Sequence, residues 1–286
     1  MTLMGTPGSD LISLIECVRA LEGRDSAARG EKVITTLKSI GLKPFIQSCR
    51  WPRIRNVIVD FMPDSTDKRL LFSAHYDVVK GSPGANDNAS GVAVLLGLCD
   101  QLCRVPRPVR VVFFDREECW FRTPLLSLGL LGSLFYVWKE ELQNVAAVYN
   151  LEFCGQGDFL GIWPVKKREI DLAAVKQAQA AASRLGVPFR SAHIPWQLFS
   201  SDHLSFRLRG FANAVTLSLL PSGQIPILEE MLATMSFARL LIGKRPLLPE
   251  PLSYIHSHGD SAAKIEERSL RLMLSLLLEL VRDTSD

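Results

Sequence analysis

The chain has 286 residues, 47% hydrophobic and 22% charged, with a net charge of +3. That composition supplies a sizeable core and excludes a disordered chain. Mild basicity without a Lys/Arg block argues against a nucleic-acid partner, and six cysteines without a CxxC pair argue against a sulfur-bound zinc or a disulfide framework.

The N-terminus lacks a basic start followed by an apolar block, so no signal peptide is expected. The chain reads as cytoplasmic, or as secreted or periplasmic if an upstream segment was removed. Residues 10–22 place Leu11, Ile12, Leu14, Ile15, Val18 and Leu21 at helical spacing behind Ser9 and Asp10. A second helix is predicted over 27–40, closed by Gly41. Strands follow over 43–48 and 56–62, separated by the polar turn Arg50-Trp51-Pro52-Arg53. Residues 70–74 form a short, continuous apolar run, the mark of a strand buried on both faces. A helix over 90–102 and a strand over 110–114 come next. The longest uncharged run, 123–138, is too short for a membrane span and contains Pro124, Gly129 and Gly132. Further on, helices are predicted over 131–140, 170–185, 201–208, 227–242 and 262–281, and strands over 145–151, 159–163 and 214–219.

Apolar strands alternating with helices predict a three-layer α/β/α sandwich with a mostly parallel central sheet. Residues 1–286 are expected to form a single domain. In such sheets functional groups gather beyond the carboxyl ends of the strands. Polar clusters stand at those ends: His75 and Asp77, then Glu117 and Glu118, then Glu152.

These residue types suit a metal, because zinc takes imidazole nitrogen and carboxylate oxygen readily. His75 is a candidate ligand. Asp77, two residues on, shares its face of the strand and is placed to accept the second imidazole N–H. Asp87 lies in the Gly/Asn-rich stretch Asn86-Asp87-Asn88-Ala89-Ser90-Gly91, where a carboxylate can approach closely and bridge two cations. Glu117 and Glu118 repel each other at the end of a buried strand unless cations are near. Such a pair reads either as charge at a helix N-terminus or as one metal ligand and one proton acceptor, and the second reading is preferred because several clusters stand together. A second imidazole must come from His193, His203, His256 or His258. His193 follows no buried strand and reads as a surface or structural residue. Asp202 and His203 open a short helix, and His256 and His258 share a Pro/Ser/Gly-rich loop.

Taken in order, His75-x-Asp77, Asn86 to Gly91, Asp115-Arg116-Glu117-Glu118, Glu152, Ser201-Asp202-His203 and His256-Ser257-His258-Gly259-Asp260 resemble metallopeptidase family twenty-eight. These are the co-catalytic zinc aminopeptidases and their glutaminyl cyclase relatives, and the likeness runs over roughly residues 25–285. The resemblance implies a zinc-exopeptidase fold of the phosphorylase/hydrolase-like type. It also implies two Zn2+, held by His75 and Glu152 on one side and by Glu118 and His256 on the other, with Asp87 between them. Glu117 would be the general base acting on a two-metal-activated water, Asp77 would orient His75, and Asp202 and His203 would lie near a peptide or aminoacyl substrate.

The chain departs from the family pattern in several places. Glu152 stands where the aminopeptidases have Asp, and His258 replaces the Pro of the final motif, so His256 and His258 compete for the ligand role. Insertions fall at about 119–128 and 222–252; in the first, Trp120 and Phe121 are candidates for an apolar substrate wall. Two alternatives follow from the same resemblance: a glutaminyl-peptide cyclotransferase with one zinc on Asp87, Glu118 and His256, and an inactive relative serving as a binding module.

Overall fold

The computed structural model describes residues 12–118, 121–122, 127–193, 201–234 and 247–283, with backbone only at 121–122, 127–128 and 167. Ten strands were found among them. They are β1 (Phe45–Cys49), β2 (Ile54–Phe61), β3 (Arg69–His75), β4 (Val109–Phe114), the short pair β5 (Phe121–Arg122) and β6 (Ser127–Leu128), β7 (Val145–Leu151), β8 (Phe159–Pro164), β9 (Phe189–Ser191) and β10 (Ala214–Leu220). The helices are α1 (Leu14–Leu21), α2 (Ser26–Ser39), α3 (Ser90–Arg104), α4 (Leu131–Lys139), α5 (Ala173–Arg184), α6 (His203–Leu208), α7 (Ile225–Thr234) and α8 (Glu267–Arg282).

Eight strands make one sheet in the order β1-β2-β4-β3-β7-β10-β8-β9. The centre, β4-β3-β7-β10, is parallel throughout. The flanks are mixed: β1 and β2 run antiparallel to their neighbours, as does β8 against β10, while β9 returns parallel to β8. The sandwich is therefore parallel where the polar clusters stand.

Alternation along each strand builds the layers. Leu70, Phe72 and Ala74 of β3 pack with α1, α2, α3, α5 and α8, whereas Leu71 packs with Tyr136 and Val137 of α4 and Phe206 of α6. Leu70, Leu71 and Phe72 thus find apolar cover on both faces of the sheet, which accounts for the hydrophobic start of β3. Burial of each such side chain contributes about 1.5–3 kcal/mol. A third cluster sets Leu228 and Met231 of α7 against Phe159, Trp163 and Leu220.

Near the carboxyl ends the second face turns polar. Ser73, Asn150 and Thr216 stand side by side across β3, β7 and β10. All three are fully buried. Their hydroxyl and amide groups form a platform beneath the strand ends.

The predicted helix over 10–22 is described from residue 12 and is helical from Leu14, with Ser13 at its N-cap; Ser9 and Asp10 lie outside the described residues. The predicted 227–242 helix is described as far as Thr234. The stretch predicted as one helix over 262–281 breaks into a short turn, Ala262–Lys264, and α8. No described helix is long and apolar enough to cross a membrane.

Candidate metal centre

Strand β3 ends at His75, which is 1% exposed and has carboxylates around its ring. Nε2 lies 3.2 Å from Asp87 Oδ1 and 3.4 Å from Glu152 Oε2, and Glu117 Oε2 is 4.0 Å away. Nδ1 lies 3.3 Å from Asp77 Oδ1 but makes no well-aligned hydrogen bond. The two oxygens of Asp77 also accept the backbone N–H groups of Glu117 (3.0 Å) and Glu118 (3.1 Å). One carboxylate thereby sets the turn that carries the glutamate pair and lies beside the imidazole.

The second imidazole is His256. Its Nε2 lies 3.1 Å from Asp87 Oδ2 and 3.1 Å from Glu118 Oε2. Asp87 therefore presents one oxygen to each histidine. His258 is exposed and belongs to none of the ligand clusters among the described residues. His256 takes a left-handed backbone conformation, φ 58°, as do Arg116 (φ 55°) before the glutamate pair and Phe153 (φ 53°) after Glu152. Such conformations are costly for residues with a side chain and persist where the surroundings fix them.

The loop carrying Asp87 is tied down from several directions. Asp260 Oδ1 accepts Asn86 N (2.7 Å), and its Oδ2 accepts Asp87 N (3.1 Å). Asn88 donates to Leu151 O, and Asn86 Oδ1 accepts Gly155 N. From below, fully buried Arg29 gives Nη2 to Pro83 O (2.7 Å) and Gly84 O (2.9 Å), and Nε to Leu21 O. Gly84 has φ 63°, and a Cβ there would come within 2.6 Å of Arg29 Nη2, so glycine meets both the turn and the close approach.

Glu152 is fixed by the platform. Its Oε1 accepts from Asn150 Nδ2 (3.1 Å) and Ser201 Oγ (2.8 Å), leaving Oε2 toward His75. Ser73 Oγ donates to Asn150 Oδ1 and so sets the amide's orientation. His203 Nδ1 bonds Thr216 Oγ1 at 2.7 Å and is turned into this platform. Asp202 is fully buried, and neither of its carboxylate oxygens has a hydrogen-bond partner of good geometry among the described residues. Trp120 lies outside the described residues, as does the side chain of Phe121.

The electrostatics separate the carboxylates. Burial works against the charge on Asp87, yet hydrogen bonds from His256 and His75 hold it well below the usual carboxylate range. Burial pushes Glu117 well above that range against the pull of His75, and repulsion from Glu118, Glu152 and Asp202 adds to the rise. Burial and repulsion from Asp87 raise Glu118 to about 7 against the pull of His256. Burial raises Asp202 to about 8, opposed by His75 and reinforced by Glu152 and Asp77. Burial disfavours charge on His75 as well, but Glu152 and Glu117 raise its affinity for a proton well above normal.

So many partly or wholly buried carboxylates around two imidazoles call for cations. Three sets of potential donor atoms, each within 4.8 Å of one another, overlap here: His75, Asp87 and Glu152; His75, Glu117 and Glu118; Asp87, Glu118 and His256. All donors are nitrogen or oxygen, which suits zinc. The structure thus brings together His75, Asp77, Asp87, Glu117, Glu118, Glu152 and His256, with Asp202 beside them and His203 in the platform beneath. Arg29 and Asn150 carried no recognisable signal, and Ser201 stood inside the Ser201-Asp202-His203 motif without an assigned role. Asp260 stood inside the final motif without an assigned role.

A model described as peptidase family M28 matches residues 56–281. Aminopeptidase YwaD of Bacillus subtilis is 34% identical over 158 residues, covering 51% of this chain and 31% of its own length. The lipoprotein aminopeptidase LpqL described for Mycobacterium tuberculosis as probable is 32% identical over 154 residues, covering 52% and 28%. The chain thus matches about a third or less of these curated relatives' length. Among solved structures, BSAP, a zinc aminopeptidase from Bacillus subtilis, aligns at TM-score 0.60 and 24% identity over 80% of this chain and 49% of that one. Porphyromonas gingivalis glutaminyl cyclase aligns at 0.71 and 19% identity over 95% and 97%. At these identities the structural likeness is one of fold.

Proposed function

The chain belongs to peptidase family M28, and on that footing we propose that it is a zinc-dependent exopeptidase that releases N-terminal residues from peptides, with residues 1–286 acting as one catalytic domain. The observation that carries this proposal is Asp87, whose two oxygens stand 3.2 Å and 3.1 Å from two different imidazoles. His75 and Glu152 would hold one zinc and Glu118 and His256 the other, with Asp87 shared between them. Zinc supplies Lewis acidity toward the attacking water and the scissile carbonyl.

The remaining chemistry belongs to side chains. Glu117 is half-buried, partly ringed by like charges and raised in pKa, which suits a group that takes a proton and returns it to the departing amine. Asp77 holds the backbone of Glu117 and orients His75. The free amine of the substrate is held on the Glu152 and Asp202 side of the centre, so the departing half of the peptide lies toward Glu118.

Replacing Glu117 with Gln is expected to lower hydrolysis of aminoacyl anilides by about 10²–10⁴-fold while bound zinc is unchanged. Near-normal turnover by that variant would refute the assignment. A second reading, a glutaminyl-peptide cyclotransferase with one zinc on Asp87, Glu118 and His256, is favoured by the near-complete coverage of the Porphyromonas gingivalis cyclase. Release of pyroglutamate from glutaminyl peptides, without hydrolysis of anilides, would establish it instead.

A further inference from the structure

Beside Glu118 opens a cavity of about 590 Å³. Its walls carry Arg53, Arg55, Lys80 and Arg116, with Tyr76 at its side. Arg55 is paired with Glu31 at 2.7 Å. Arg53, Lys80 and Arg116 have no carboxylate within ion-pair distance among the described residues; Arg116 Nε donates only to Arg53 O.

The acidic groups on the same walls are already engaged. Asp77 accepts two backbone N–H groups, Asp115 accepts Arg55 N, and Glu118 faces His256. The cavity thus presents cationic groups with unspent donors. A smaller cavity at the opposite end of the sheet makes the contrast plain: there Arg69 is paired with Asp60, and Arg110 with both Asp60 and Glu140.

We propose that this cavity receives the departing half of the substrate and binds a carboxylate carried on it. The inference rests on the exopeptidase assignment, which puts the departing half toward Glu118. Arg53, Lys80 and Arg116 recognise the anion, and guanidinium groups suit a planar carboxylate because they donate in pairs. Two sources present this chemistry: the terminal carboxylate of a dipeptide, or an acidic side chain following the scissile bond.

The test compares kcat/KM for matched pairs of substrates. Leu-Gly against Leu-Gly-amide reports the terminal carboxylate, and Leu-Asp-amide against Leu-Asn-amide reports the side chain. The charged member is expected to be preferred by about tenfold in at least one pair, with the preference shrinking as salt rises. In the double variant Arg53→Glu, Lys80→Glu that preference is expected to vanish or invert; the ratio within each pair is insensitive to how much enzyme is folded or loaded. Equal rates within both pairs, or a preference untouched by the charge reversal, would overturn the proposal while leaving the exopeptidase assignment intact. Hydrolysis of none of the four would remove that assignment and this inference with it.

Discussion

Asp87 and Glu117 show how one cluster pushes the same functional group in opposite directions. Asp87 is kept anionic by two imidazoles, which suits a bridging ligand, while Glu117 is driven toward the protonated form by burial and like charges, which suits a proton carrier. His203 offers a test of the platform beneath them. Burial lowers its pKa from 6.5 to about 3. The unfolded chain therefore binds a proton that the folded chain refuses over that interval, so stability falls as pH drops below 6.5. Relative to His203→Gln, which can still bond Thr216, the wild-type chain is expected to lose up to ~1 kcal/mol per pH unit on the acid side. Urea melts of both proteins between neutral and acid pH measure this, and parallel curves would contradict it.

At the scale of elements, the centre is assembled by loops that clamp one another. The segment 85–89 hangs from Asp260, and Asp260 sits four residues after His256, so a single contact ties the Asp87 loop to the His256 loop. Replacing Asp260 with Asn sets an NH2 group against one of two buried N–H donors. The expected cost is about 1–3 kcal/mol of stability, with zinc affinity reduced about 10–100-fold. Thermal melts of the chelated protein and competition against a zinc indicator report the two effects, and unchanged values for both would refute the clamp.

Much of this was legible in the residue pattern, and the exceptions have physical causes. The central strands announced themselves as apolar runs because both faces are covered, and the polar residues at their ends marked the centre. Strand β9 was not foreseen: it has three residues, two of them exposed, so it offers no period. Arg29 was silent because it binds backbone carbonyls, which any sequence supplies. The choice between His256 and His258 was open because both share one loop; the structure sets His256 Nε2 beside Asp87 and Glu118 and leaves His258 exposed.

Across the whole molecule, the parallel centre of the sheet brings His75, Glu117, Glu118 and Glu152 to one edge from β3, β4 and β7, and the chain that follows returns His256 to the same place. On the proposed zinc assignment, cations would relieve their mutual repulsion, and the centre would also cross-link the strand ends to the His256 loop. Among the described residues His256 is the most exposed member of the cluster, at 44% side-chain exposure, and it lies beside Glu118, which also borders the cationic cavity. The central claim is that Asp87 joins two zinc positions. The most direct measurement is the zinc content of the purified chain after equilibration with excess zinc and removal of the free ion. Two zinc ions per chain are predicted for the wild-type protein, and a single ion per chain would contradict the account.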